Sequence, residues 1–281
     1  MKLGDLEVHT LNAGRFGLDG GAMFGIVPRV LWQQRNPPDE HNRIRLALRL
    51  MLIKRKRELV LVDTGIGRKY GERFNEMFNV DHSAGNLLSG LAAAGYKPED
   101  ITGVVLTHLH FDHAGGVTRL DENGRPVPVF SNARHFVQRF EWQDATQPNR
   151  RTRGSYRLDD FLPIEAAGLL ELVDGDLEIT PGVFLRRTGG HTRGHQIVLV
   201  RSDERTCAYW ADLVPTASHV TIPYIMGYDL FPLDTMRLKE ELLERAVNEE
   251  WLNIFEHDPD LDVALLIRDG KDLRARGIDP V

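Results

Sequence analysis

Apolar and polar positions alternate along much of the chain, and the alternation predicts strands. Leu6 to Leu11 reads as a first strand. Arg43 to Ile53 and Leu59 to Val62 read as two more, joined by a charged hairpin turn at Lys54–Glu58. Between the first two lies a glycine-rich segment, Asn12 to Gly25, whose apolar side chains lack helical spacing. It is either a loop that lines a pocket or a flexible surface loop, and Ile26 to Trp32 continues it. Ser83 to Gly95 has helical periodicity through Leu87, Leu88, Leu91 and Ala94, and Pro98–Ile101 is a short helical turn. These form a crossover into a buried strand, Gly103 to Leu106, the pattern of an α/β unit. Further strands are expected at Pro128–Phe130, Ala133–Val137, Gly182–Thr188, Gln196–Val200 and Thr206–Ala211, with a last one at Val263–Ile267. Phe140 to Ala145 and Phe161 to Leu170 read as short helical stretches around a basic, patternless Thr146–Asp159, so 140–170 is a candidate lid or pocket wall. The most regular helix is Asp234 to Trp251, with Leu238, Leu242, Leu243 and Ala246 on its apolar face and Asp234 as its N-cap. No linker divides the chain, so 1–281 is expected to be one domain.

One stretch departs from this patterning. Thr107-His108-Leu109-His110-Phe111-Asp112-His113 crowds three imidazoles and a carboxylate onto the end of the Gly103–Leu106 strand. A lone histidine near an apolar strand is usually structural, but a cluster repels itself when protonated and is awkward without a metal. On a turn leaving a strand, His108 and His110 can point to one side together, while Asp112 and His113 close round a second point. The motif thus offers ligands to two ions. Ala114-Gly115-Gly116 is expected to open a helix whose dipole faces the site, with the glycines allowing close backbone approach. His191, Asp212 and His257 each sit at a later strand end, and strand ends meet at one edge of a layered α/β fold. Seven side chains can therefore converge: His108, His110, Asp112, His113, His191, Asp212 and His257. Asp63, at a strand end before a glycine turn, is expected to support a ligating histidine rather than only cap its turn. His195 is expected to brace the His191 turn, and His9, His41, His82, His135 and His219 default to structural or surface roles.

Composition narrows the setting. A 42% hydrophobic and 27% charged chain of 281 residues is ordinary for a soluble globular protein. Its net charge of −6 argues against a nucleic-acid surface, and the basic runs Lys54–Arg57 and Arg150–Arg153 read as a solvated turn and loop. The single Cys207 rules out an intrachain disulfide and fits a reducing compartment. The first residues lack an apolar signal core, and no run approaches the roughly 18 apolar residues that span a bilayer. A soluble cytoplasmic protein is expected.

The pattern Thr107–His113, then Gly190-His191-Thr192-Arg193-Gly194-His195, Asp212 and His257, with Asp63-Thr64-Gly65 upstream, resembles the metallo-β-lactamase superfamily. The resemblance implies a four-layer αβ/βα sandwich of two mixed sheets flanked by helices, with the site at one edge. It further implies that His108, His110 and His191 bind a first ion, that Asp112, His113 and His257 bind a second, and that Asp212 bridges them together with a hydroxide. Asp112 and Asp212 are then the catalytic carboxylates, Asp112 also carrying the proton to the leaving group, with Asp63, Thr107 and His195 in support. The cofactor expected is two divalent ions, zinc first, with manganese, iron or cobalt compatible. Leu18–Pro28 and Ala211–Thr216 resemble the quorum-quenching N-acyl-homoserine lactonase branch. That branch implies opening of the lactone ring by a metal-bridging hydroxide. One departure stands out: the best-known lactonases carry a tyrosine three residues after the bridging aspartate, where this chain has Pro215. Tyr224 or Tyr228 could take the role, or the role is absent. An apolar pocket of Met23, Phe24, Ile26, Tyr224, Met226 and Tyr228, with Trp32 and Ile225 beside them, would suit an acyl chain or aryl ester, some of these residues serving instead in the core or at a dimer interface. The expected partner is a small-molecule acyl lactone, not nucleic acid or membrane, and a homodimer is left open. The alternatives are a phosphotriesterase or aryl-ester hydrolase of the same fold, an iron-dependent thiol or persulfide dioxygenase, and a non-catalytic binding protein. Seven ligands suit two ions better than a mononuclear iron site.

Overall fold

A computed structural model describes residues 1–202 and 205–279. Its strands are β1 (Lys2–Leu3), β2 (Leu6–Asp19), β3 (Arg43–Arg55), β4 (Glu58–Val62), β5 (Gly103–Val105), β6 (Thr118–Leu120), β7 (Pro126–Pro128), β8 (Arg134–Gln138) and β9 (Leu170–Val173). Then follow β10 (Leu177–Thr180), β11 (Val183–Arg187), β12 (Gln196–Arg201), β13 (Thr206–Tyr209), β14 (Leu252–Ile254), β15 (Ala264–Asp269) and β16 (Asp272–Gly277). One seven-stranded sheet runs β1-β2-β3-β4-β5-β8-β9, a second runs β10 to β16 in order, and β6 and β7 pair apart. Pairing is parallel where helical segments intervene, at β4–β5, β5–β8, β8–β9 and β13–β14.

Period-two patterning sorts the side chains of these sheets into three packed interiors. On β4, Val60 and Val62 face the second sheet, with Val198, Val200 and Tyr209 among the residues they join. Leu59 and Leu61 on the same strand face the other way, with Leu87, Leu91, Phe161 and Ile164 of the flanking helices. On β12, Val198 and Val200 turn inward while Ile197 and Leu199 pack outward against Leu238, Leu242 and Leu243. The result is helix, sheet, sheet, helix: four layers, as the resemblance implies.

The structure amends several expectations. Asn12 to Asp19 is neither kind of loop. β2 continues through it past a register shift between Asn12 and Arg15, then Gly20–Phe24 forms a short helix capped by the Asp19 carboxylate, which accepts from the Ala22 N–H at 2.8 Å. The long helix runs Pro232–Asn248, with Phe231 as its N-cap and Asp234 inside its first turn. β16 follows the strand expected to be last. Ala114 opens no long helix: Phe111–Ala114 is one helical turn and Gly115–Val117 a further 3-10 turn, so no extended dipole is aimed at the site. The glycines there serve close approach, because a methyl on Gly115 or Gly116 would collide with the carbonyl oxygens of Ile66 and Thr64. The 140–170 insertion folds as helices Arg139–Thr146 and Leu158–Ala166, which bury Trp142, Ala145, Phe161 and Ile164 in the first sheet's outer core. No helix among the described residues is long and apolar enough to cross a membrane.

Candidate metal centre

The ends of β4 and β5, paired in parallel, place Asp63 beside the Thr107–His113 turn. Asp63 takes a left-handed backbone, φ 56°, which aspartate tolerates better than most residues. Its carboxylate accepts from the Thr107 N–H at 2.8 Å and the Thr107 hydroxyl at 2.7 Å, pinning the start of the turn. In the second sheet, β11 and β13 both run antiparallel to β12, and β13 is parallel to β14, so the three share a direction. His191, Asp212 and His257 follow their ends. Ala211, at φ 44°, makes the sharp turn that aims Asp212 into the site.

All seven expected ligands come together, in two groups. Donor atoms of His108, His110, His191 and Asp212 lie within 4.8 Å of one another, and so do those of Asp112, His113 and His257. Asp212 faces both groups: one oxygen is 3.1 Å from His191 Nε2 and 3.6 Å from His113 Nε2, the other 3.3 Å from His257 Nε2. His110 Nδ1 is 3.1 Å from His191 Nε2, and His113 Nε2 is 3.2 Å from His257 Nε2. The nearest partners of the Asp112 carboxylate are His257 and His113, at 3.7 and 3.8 Å, beyond ordinary hydrogen-bond reach.

The donor set fits two divalent cations. His108 Nε2 and Asp212 Oδ1 are buried without a hydrogen-bond partner among the described residues, although such groups are costly unless satisfied. Charge is equally crowded. Burial lowers the His113 imidazole, but facing Glu256, Asp112 and Asp212 outweigh it and hold it well above its ordinary value. Burial likewise opposes protonation of His257, yet the Asp212 carboxylate facing it at 3.3 Å pushes it up to about 9. Asp212 is driven well below its ordinary value against burial, chiefly by His191 and His113. Imidazole nitrogens and carboxylate oxygens arranged this way are a ligand set for borderline or hard divalent metals.

A supporting shell surrounds the groups. His195 belongs to neither: its Nε2 accepts the Asp212 N–H at 3.2 Å and its Nδ1 meets the Thr188 hydroxyl. Sequence reasoning missed three carboxylates. Asp229 holds His191 Nδ1 at 2.8 Å, Glu256 lies 2.9 Å from His113 Nδ1 beside Asp63 at 3.1 Å, and Glu141 is buried behind the His108–His110 turn. Glu256 left a signal, an acid directly before His257 at the end of the strand-like Leu252-Asn253-Ile254-Phe255, whereas Asp229 and Glu141 had none.

A cavity of about 220 Å³ opens onto His110, Asp112, His191, Asp212 and His257. Its remaining wall is Leu18, Met23, Phe78, Phe111, Met226 and Tyr228, with Gly154 and Ser155 of the insertion. Three of the expected pocket residues, Met23, Met226 and Tyr228, line it. Phe24 does not: it is buried behind, stacked between Trp32 and His219. Tyr224 packs edge-on against Phe24, and Ile26 is 94% exposed, so neither lines the cavity. Leu18 and Phe78, not foreseen, take their place.

The model of the metallo-beta-lactamase superfamily matches residues 50–257, and the chain belongs to that superfamily. Within it, the chain is similar to the N-acyl homoserine lactonase of Bacillus cereus, with 32% identity over 173 residues, 58% of this chain and 62% of that one. The match thus spans less than two thirds of the relative's length. Among solved structures, a Staphylococcus aureus protein described as a probable metal-dependent hydrolase is 32% identical, with a TM-score of 0.90 and full coverage of both chains. An N-acyl homoserine lactone hydrolase, with N-hexanoyl-L-homoserine bound at its catalytic metal centre, superposes with a TM-score of 0.70 and 25% identity over 92% of this chain and 95% of that one.

Proposed function

We propose that this protein opens the lactone ring of N-acyl homoserine lactones by metal-dependent hydrolysis. The observation that carries the proposal is that both ligand groups face one cavity whose other walls are mainly apolar. The named activities of the relatives support it. His108, His110 and His191 would hold one ion and Asp112, His113 and His257 the other, with Asp212 shared. Two divalent ions, zinc first among the candidates, would supply Lewis acidity and a water of lowered pKa there. The chain's own residues do the rest. The apolar wall takes the acyl chain and excludes bulk water. Asp112, at the cavity surface, takes the proton of the attacking water and returns it to the ring oxygen as the C–O bond breaks. Tyr228 lines the same cavity, and burial raises its phenol, so it remains a hydroxyl donor at neutral pH. It would hold the lactone carbonyl, the role that Pro215 cannot fill.

A hydrolysis panel on metal-defined protein tests this, with short- and long-chain acyl homoserine lactones, aryl esters and phosphotriesters side by side. Lactones should be the best substrates. Preference for a phosphotriester, or oxygen uptake with a persulfide, would replace the proposal by one of its rivals.

A further inference from the structure

Glu141 is a buried carboxylate that the chemistry above does not use. It sits in the helix Arg139–Thr146. One oxygen accepts the Leu109 N–H at 3.0 Å and the Tyr156 hydroxyl at 2.9 Å, and the other accepts the Thr192 hydroxyl. Each donor belongs to a segment that carries or touches a ligand of one group. Leu109 lies between His108 and His110, and Thr192 follows His191. The Tyr156 ring is 5.0 Å from that of His110, and the two backbones pair as a β-bridge. None of the three donors adjoins Asp112, His113 or His257. The helix itself is fixed against the His191 loop, because Gly194 packs so closely on the Glu141 backbone that a methyl there would collide, and Arg193 pairs with Asp144 at 2.6 Å.

From this convergence we infer that Glu141 is a positioning residue, holding His108, His110 and His191 in ligating geometry while leaving the Asp112–His113–His257 group independent of it. The inference rests on the reading of these groups as two ion sites. A carboxylate suits the task because it offers enough lone pairs for three donors, and charge-assisted hydrogen bonds are strong in a dry interior. Alanine would leave three buried donors unmet. Glutamine keeps the shape, its carbonyl oxygen can serve Leu109 and Tyr156, and the Thr192 hydroxyl can turn to accept from its amide.

The test is chelator competition on the full chain loaded with two equivalents of zinc, with circular dichroism as the folding control. Glu141→Ala should release one of its two ions about 10–100-fold more readily and the other within about threefold of wild type, while Glu141→Gln stays within about threefold for both. Retention of both ions at wild-type affinity, or equal weakening of both, overturns the inference. If the alanine variant does not fold, Tyr156→Phe and Thr192→Val each remove one donor and should each loosen the same single ion; no change in either also overturns it. A wild-type chain that holds no ion fails the site reading itself, and this inference with it, whereas two ions unaffected by Glu141 fail this inference alone.

Discussion

Two side chains in the cavity carry separable tasks in the proposed reaction. Tyr228→Phe removes only a hydroxyl. With ion content unchanged, kcat/KM on an acyl lactone should fall about tenfold, the worth of one hydrogen bond to a polar substrate group. An unchanged kcat/KM would show that Tyr228 is only wall. Asp112→Asn keeps the side chain's shape but cannot carry a proton. Turnover should fall by roughly 10²–10⁴-fold, and elemental analysis for two ions separates lost proton transfer from a lost ligand. At this scale sequence picked out the seven side chains that converge in the two groups, because a metal site needs particular residue types at strand ends. The residues that hold the ligands were less visible. Asp229 lies 38 residues from His191, and nothing in its neighbourhood marks it as that histidine's partner. Of the expected apolar wall, Phe24, Ile26 and Tyr224 went elsewhere because composition does not say which side of a turn a residue faces.

Elements set the site through close approach and through buried polar ties. The turn after Asp112 and His113 lies against the Thr64–Ile66 segment without room for a side chain. Gly115→Ala should therefore cost about 1–3 kcal/mol by overpacking, read as a lower denaturation midpoint, and should loosen the ions held by that turn. The long helix contributes Lys239, whose buried amine donates to the carbonyl oxygens of His219, Thr221 and Tyr224 at 3.0, 3.2 and 2.7 Å. This ties the helix to the segment leading into Met226 and Tyr228. Burial lowers the amine to about 7. The unfolded chain then binds more protons between that value and about 10, so this lysine makes stability rise with pH across the window. Lys239→Met should cost roughly 3 kcal/mol by stranding three carbonyls and should abolish that rise. Denaturant midpoints at about pH 7 and about pH 10 measure both effects, and equal pH slopes in the two proteins would contradict the account. Helix identity was legible from apolar spacing, but boundaries were not: Pro232, suited to a first helical turn, displaced the start from the expected cap at Asp234.

At the scale of the molecule, patterning predicted the strands and helices of an α/β unit, while the two sheets and their four layers were implied only by the resemblance, because strands packed on both faces do not say which sheet they join. β9, β10 and β16 do alternate, as Leu170-Glu171-Leu172, Leu177-Glu178-Ile179 and Leu273-Arg274-Ala275 show, but they escaped notice because they are edge strands of four to six residues that bury little. What patterning could not show is how the two sheets are joined at the site. His108, His110, Asp112 and His113 follow β5 of the first sheet, whereas His191, Asp212 and His257 follow strands of the second. Each ligand group draws from both sheets, so an ion in either would cross-link the two halves of the sandwich. Binding energy there is folding energy, available only when the sheets are docked. At free ion about a thousandfold above its Kd, one site stabilises the folded chain by about 4 kcal/mol. At roughly 2–4 °C per kcal/mol, chelation should lower the melting temperature by about 8–16 °C for each ion. The loosening should also be local. Hydrogen exchange should accelerate at the ends of β5, β13 and β14, while the hairpin of β15 and β16 at the far edge keeps its protection. Equal acceleration in that hairpin would mean that the ions stabilise the whole fold without joining its halves.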